Sequence, residues 1–409
     1  FKVKKVSGNA IFFEFFKLGL YSFGGPTAHI GFFREKFVLK EKWFTEDQYM
    51  EIVSICQFLP GPTSSQIGYT IGLLKGGSKG GLAAWLGFTL PSTLLMVLGA
   101  FFLIELKNLI NEESLYGFLQ GFASVATPVV AVALLSMQKI FCFNFQRILI
   151  TLLSTSLLFF LEFPMEQIFT ISLGFIIGIY LKLGSKKSEP INYLQSRNNN
   201  LLIGASLVLF VSFFILVIFP IIIPSEKNTL LNYLAYFYQS GALVFGGGHV
   251  VLPFLEKGFV QTGFISEEMF IGGYGMVQGA PGPLFSFAAY LGAILGLSSG
   301  NAFVGVAFGL ICVSIIFLPG LVIIPIVLNY WSQINSITWM RDGLSGVNAS
   351  VVGLLLSVFL SPMLMNYLEN PKGLILVFLS CIFIFFSKMP TWLVILIMGP
   401  IGLIIYSFY

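Results

Sequence analysis

Two short stretches hold most of the polar chemistry of this chain. Cys56 to Gln66 reads Cys-Gln-Phe-Leu-Pro-Gly-Pro-Thr-Ser-Ser-Gln, and Gln278 to Ser286 reads Gln-Gly-Ala-Pro-Gly-Pro-Leu-Phe-Ser. Pro60 and Pro62 in the first, and Pro281 and Pro283 in the second, remove backbone donors and bar helix continuation. Between them Gly61 and Gly282 let a backbone approach closely. A helix that starts after such a break offers N–H groups with no intrahelical partner, equivalent to about half a positive charge. Neutral donors surround the breaks: Gln57, Thr63, Ser64, Ser65 and Gln66, then Gln278 and Ser286. Two further turns, Ser22-Phe23-Gly24-Gly25 and Phe245-Gly246-Gly247, add oriented N–H groups of the anion-cradling kind. Donors without paired carboxylates suit an anion better than a metal cation. Two helix ends supply about +1, so a dianion needs about one more positive charge. Lys17, five residues before Ser22, is the expected source, with a protonated His29 as the second. The competing reading of Lys17 is a lysine snorkelling to the interface, and that of His29 a loop histidine just past its turn.

The elements that position these residues must lie in a bilayer. Of 409 residues, 56% are hydrophobic and only 10% charged, against about 25% charged in soluble domains. Mean hydropathy is +0.90. Apolar runs reach the roughly 20 residues of a spanning helix, which excludes a β-barrel of short alternating strands. The fold class is therefore an all-α polytopic, multi-pass membrane protein. Its net charge of +4 bears on topology, not on nucleic acid. Cys56, Cys142, Cys312 and Cys381 form no CxxC pair and read as small buried residues. His29 and His249 make no metal motif, so neither a metal nor a cofactor is expected. No phosphate loop, Gly-x-Ser-x-Gly elbow or serine/histidine/aspartate set is present, so no enzyme is expected. No signal peptide is recognisable.

Full spans read at about Gly81–Ile104, Leu115–Met137, Ile148–Leu161, Gln167–Leu181 and Leu201–Ile222, then Ala302–Tyr330, Leu344–Leu360, Gly373–Phe386 and Thr391–Ser407. The segments before each first full span are different. Ile11–Tyr21 is too short to cross and ends in Gly24-Gly25; Tyr49–Leu74 is broken at Pro60–Pro62. Leu230–Val244 and Met269–Leu295 repeat that pattern. A constant shift aligns Trp43-Phe44-Thr45-Glu46-Asp47-Gln48-Tyr49 with Phe264-Ile265-Ser266-Glu267-Glu268-Met269-Phe270, and Gln57 with Gln278. Thr45 and Ser266 read as helix N-caps. The chain is thus an internal duplication: a first half over 1–181, a basic linker over 182–200, and a second half over 201–409 with one extra leading span. Broken segments at matching places of two halves are the best pointer to a transporter's binding site.

If each pre-span region is a pair of re-entrant hairpins, five full spans separate the halves and the repeats are inverted. Placing Lys2–Lys5 in the cytoplasm leaves only Lys107, Lys227, Lys257 and Lys372 outside, with Lys17 in the membrane, a strong positive-inside bias. Lys40 and Lys79 are then cytoplasmic. Glu35 and Glu256 are membrane-proximal acids at equivalent positions, read as candidates for proton coupling or gating against solvated interfacial charges.

These residues carry a resemblance. Phe16 to Ile30, Cys56 to Ser65 and Gly81-Leu82-Ala83-Ala84-Trp85 look like the chromate ion transporter family. Phe245-Gly246-Gly247-Gly248-His249 and Gln278-Gly279-Ala280-Pro281-Gly282-Pro283 are similar to that family's C-terminal domain. The resemblance spans nearly the whole chain and matches the long, two-domain form. It implies a secondary active transporter in the cell membrane that exports a tetrahedral oxyanion, chromate or the related sulfate, linked to the proton motive force. It implies an inorganic oxyanion, protons and the lipid bilayer as partners, and is compatible with a homodimer. The alternative is an anion-selective channel, or a transporter of another small anion, with the same architecture.

Overall fold

A computed structural model describes residues 6–160, 166–184, 199–218, 230–245, 248–298, 300–368, 370–387 and 389–407. Gly246, Gly247, Lys388 and most of the 182–200 linker lie outside them. Among the described residues the chain is helical and has no strand.

The first half opens with α1 (Gly8–Tyr21), capped by the Ser7 hydroxyl, which accepts from the Ala10 N–H. It stops at Ser22, and α2 (Gly25–Arg34) starts after a left-handed Gly24. Next comes α3 (Glu46–Phe58), whose first turn is closed by a reciprocal Thr45–Gln48 capping box. Pro60-Gly61-Pro62 ends it, and α4 (Thr63–Leu109) follows. The Gly76–Gly81 stretch reads from the sequence as a flexible turn, and the structure condenses that turn onto one residue. Gly77, at φ 65° and ψ −160°, folds α4 back so that Gly72 packs on Gly80 and Ala84. The half is completed by α5 (Glu112–Phe141), α6 (Phe145–Phe160) and α7 (Glu166–Tyr180).

The second half is led by α8 (Asn199–Phe213) and repeats the scheme. α9 (Leu230–Leu243), a 3-10 turn (Gly248–Val250), α10 (Val251–Phe259), α11 (Glu267–Gln278) and α12 (Phe287–Leu297) precede α13 (Ala302–Ser336). Then follow α14 (Thr338–Val358), α15 (Met365–Leu368), α16 (Pro371–Cys381) and α17 (Thr391–Ser407). The α4 fold-back thus corresponds to two separate helices, α12 and α13. The span read as Leu344–Leu360 begins earlier, at Thr338.

Among the described residues, five helices are long and apolar enough to cross a membrane, and five shorter ones are apolar. Their outward faces carry large apolar side chains such as Leu98 at 68%, Phe160 at 77%, Phe210 at 69% and Phe303 at 78% exposure. No soluble surface tolerates that density of apolar groups. It is a lipid-facing surface.

The halves do not build separate cores. Gly117 and Gly121 of α5 pack against Gly402 and Met398 of α17, and Ser124 shares a hydrogen bond with Ser380 of α16. In return, Gly174 and Gly178 of α7 pack on Gly346 of α14. Thr151 and Thr155 of α6 donate to the carbonyls of Ala349 and Gly353 in α14. Small residues let these backbones approach, where dispersion and interhelical hydrogen bonds replace the hydrophobic drive absent in lipid. Each half therefore lends one helix to the other's trailing pair. The 78–109 part of α4 and its counterpart α13 run antiparallel, with Trp85 against Phe317 and Val97 beside Gly309.

Candidate functional site

Each proline-flanked glycine reaches across to the opposite half. Gly282 N–H donates to the carbonyl of Ser22, where α1 ends, at 2.9 Å. Gly61 N–H donates to the carbonyl of Val244, just past the end of α9, at 2.6 Å. Matching Phe23-Gly24-Gly25 with Phe245-Gly246-Gly247 puts Ser22 and Val244 at the same repeat position, so the two bonds are equivalent. A carbonyl left bare at the end of a membrane-embedded helix is costly. Here the broken segment of the other half satisfies it.

The surroundings of the two breaks then diverge. At the first, Gln66 Nε2 donates to the carbonyls of Pro60, at 2.7 Å, and of Gly320 in α13, at 2.9 Å. A Cβ on Gly61 would stand 2.8 Å from the Gly320 Cα. Thr63, Ser64 and Ser65 are buried behind this seal, while Gln57 is exposed. Pro60 lines only an apolar groove against α8.

At the second break, a cleft of about 280 Å³ reaches the broken backbone. Gln278, Ala280, Gly282 and Leu284 form one wall; Gly24, Gly25 and Pro26 face them, beside Gly248 and His249. The closing wall is the last part of α5, from Val129 to Phe141. At about 30 Å³ per water the cleft holds a small anion with part of its hydration shell. The first turn of α2 has no side-chain cap, so its N–H groups are available to a ligand there. Gln278 Nε2 is buried beside the Tyr274 hydroxyl and meets no acceptor at full hydrogen-bond geometry. Ser286 is buried and donates to the Pro283 carbonyl. Pro281 and Pro283 are buried to either side of Gly282. Phe23 and Phe245 are half-buried in the turns that end the leading helices.

The expected charges lie elsewhere. Lys17 is 64% exposed and pairs with Glu14 at 3.2 Å, three residues earlier on α1; it does not line the cleft. Lys36 pairs with the same Glu14 and with Glu41. His29 is fully buried, with Nε2 against the Ser22 carbonyl at 3.1 Å, and packs edge-on to Phe88. Glu35 is exposed and bonded to Lys40 at 2.8 Å, which holds its carboxyl below the usual carboxylate range. Glu256, its repeat counterpart, lines a second and larger cavity.

That cavity, of about 840 Å³, lies between α7, α10, α11 and the end of α14. Its walls include Glu166, Glu256, Lys257, Gln261 and Glu267. The end of α14 and the start of α7 here correspond by repeat to the end of α5 and the start of α17 at the cleft. Yet this vestibule contacts neither break. Lys257 donates to Glu166 at 2.7 Å, and Gln167 Nε2 to the Pro253 carbonyl at 3.0 Å, tying α7 to α10 across the halves.

Sequence reasoning missed Gln66 as a seal, Gly320 as its acceptor, and His249. The repeat itself held one signal: Phe287 stands where Gln66 would be, so the second break has no equivalent amide.

A family model described as chromate transporter matches residues 9–179 and 231–403, one copy in each half. Among curated proteins, an uncharacterized transporter of Methanocaldococcus jannaschii is 27% identical over 97% of this chain and 94% of its own length. A chromate transport protein of Pseudomonas aeruginosa is 24% identical over 84% and 78%. An uncharacterized transporter of Bacillus subtilis is 30% identical over 172 residues, 41% of this chain but 82% of that relative. That protein corresponds to one half of the duplication. No solved structure matches the chain.

Proposed function

Because the chain belongs to the chromate transporter family, we propose that it is a secondary active transporter of a tetrahedral oxyanion in the cell membrane. Chromate is the proposed substrate, with sulfate as its chemical analogue, and the proposed direction is efflux linked to the proton motive force. The observation that carries this reading is the cleft at the second break. Uncapped N–H groups of α2, the amide of Gln278 and the broken backbone at Gly282 converge there. No Asp, Glu, Lys or Arg lines it among the described residues. Neutral donors gathered at the broken-backbone end of an otherwise largely apolar cleft suit an oxyanion held by hydrogen bonds.

The two cavities support a reading of alternating access. The cleft approaches the breaks from the end of α5 near Lys139 and Arg147, the cytoplasmic side by the positive-inside bias. The vestibule beside Glu256 stops short of them at the Lys257–Glu166 and Gln167–Pro253 contacts. An inward-facing transporter with its outer gate shut has this form; an open channel would join the two. The antiparallel run of α4 and α13 supports inverted repeats.

The test is uptake of labelled chromate, sulfate and phosphate into proteoliposomes, with and without a pH gradient. Saturable chromate flux that responds to the gradient is expected. Flux that never saturates would replace the transporter with a channel, and no flux of any of the three would remove the oxyanion reading. Cysteines at Lys79 and Thr262 are expected to react with an impermeant maleimide from opposite sides; labelling from one side would end the inverted topology.

A further inference from the structure

We infer that His249 makes anion binding at the cleft proton-linked, its imidazole taking up a proton as the anion enters. This rests on the reading of the cleft as the oxyanion site. His249 lines the cleft, and its Nε2 points across it: a Cβ on Gly25 would stand 3.9 Å away. Its other nitrogen, Nδ1, is fixed by the Tyr274 hydroxyl at 2.9 Å. When that hydroxyl donates to Nδ1, the ring proton sits on Nε2 and is presented to the cleft. A second proton on Nδ1 reverses the contact, because the Tyr274 oxygen then accepts, and leaves the Nε2 donor in place. The ring therefore gains a full positive charge without losing its orientation.

Nothing else on the described walls does this. Tyr274, from α11, is the titratable group in contact with the ring. The α5 wall, Val129 to Phe141, places no ionisable side chain among the lining residues, and the α2 wall is Gly24, Gly25 and Pro26. Arg147 of α6 is held beyond the cleft by the Phe141 and Leu183 carbonyls. His29 is turned to Ser22, away from the lining. The uncapped end of α2 supplies about half a positive charge, too little for a dianion. His249 and Gln278 flank the same wall of broken backbone, so one imidazolium and one amide meet the anion from the second half while α2 meets it from the first.

Calorimetry on the purified full-length chain tests this, with sodium sulfate, a dianion throughout, titrated between about pH 5 and 8, the range an imidazole crosses, and sodium chromate at the alkaline end, where it too is a dianion. Repeating each titration in two buffers of different ionisation enthalpy reads out the protons taken up. Wild type is expected to bind more tightly as pH falls, approaching about tenfold per pH unit, with close to one proton gained per anion. His249→Gln is expected to bind weakly at all pH values, with a flat profile and no proton uptake. Tyr274→Phe keeps the packing volume but removes the hydroxyl that fixes Nδ1, and is expected to shift the profile along the pH axis. His29→Gln and Lys388→Gln are expected to keep the slope. If His249→Gln retains the slope, or if it moves with His29 or Lys388, the inference is overturned while the oxyanion site stands. If wild type binds neither anion, the reading of the cleft itself falls.

Discussion

The two proline-flanked breaks share a sequence, a repeat position and a cross-half hydrogen bond, yet one is sealed and the other faces a cavity. The difference comes from two substitutions between the repeats. Gln66 staples the carbonyls of Pro60 and Gly320 together at the first break. At the second, Phe287 replaces the amide and packs on Phe270 and Tyr274 instead. Where α13 offers bare Gly320 to Gly61, α4 offers Ser92 to Gly282, which keeps the backbones further apart. Equivalent motifs therefore stand in unequal surroundings: the first is sealed, the second lines a cavity.

The strongest way to break that comparison is to add a side chain at each glycine. Gly61 sits at φ 118° with the Gly320 backbone 2.8 Å from the Cβ position. Gly61→Val is expected to cost about 3 kcal/mol or more, since left-handed backbone costs about 1–2 kcal/mol and overpacking about 1–3 kcal/mol. Monodisperse yield and Tm should both fall. Gly282, at φ 93°, carries the same left-handed backbone cost, but its Cβ position meets the movable Ser92 hydroxyl at 3.1 Å and the Phe88 carbonyl at 3.2 Å, looser than the Gly320 contact at Gly61. Gly282→Val is expected to yield folded protein that no longer binds chromate. Equal loss of folding in both would erase the distinction.

A milder cut removes the amides. Gln66→Ala removes both hydrogen bonds of the staple and is expected to destabilise the protein by about 1–3 kcal/mol, at about 0.5–1.5 kcal/mol per bond. Gln278→Ala is expected to leave Tm within a degree or so and to weaken anion binding about tenfold, the effect of one hydrogen bond to a charged ligand. A drop in Tm for Gln278→Ala comparable to that of Gln66→Ala would show that its amide is structural.

Labelling sharpens the contrast further. In a cysteine-free background, Ser136→Cys in the cleft is expected to react with a small maleimide several times faster without chromate than with it. Ser65→Cys, buried behind the first break, should stay unreactive in both conditions. Protection of both by the anion would place substrate at both breaks.

The smallest effect is expected at Lys17. Exposed pairs of this kind contribute about 0–1 kcal/mol, so Lys17→Gln should change neither stability nor chromate affinity by more than about twofold. A large loss of affinity would return Lys17 to the site.

Much of this was legible in the sequence. The duplication, both breaks, the Thr45 and Ser266 caps and the fold-back near Gly77 all depend on local chemistry, and the residues say so directly. The Lys17–Glu14 pair was legible too, since three residues apart on a helix is contact distance. What lay beyond reach was long-range. Whether Gln66 meets Gly320 depends on how α13 crosses α4, and neither helix states its partner. His249 stands in a quoted turn, but only the fold shows its ring held by Tyr274 and aimed across at Gly25. The division into halves at the linker likewise describes descent; it says nothing of the exchange of α5 and α14.

That exchange has a consequence for biogenesis. α5 finishes near Phe141, but its packing partner α17 begins at Thr391. At about 5–20 residues per second, α5 spends roughly 10–50 s in the bilayer before its Gly117 and Gly121 meet a mate. Throughout that interval the small-residue face of α5 is open to any neighbouring helix, including the same face on another nascent chain. Ribosome-stalled chains ending before Thr391 are expected to cross-link through Gly121→Cys to foreign membrane proteins, and chains released after Ser407 are not.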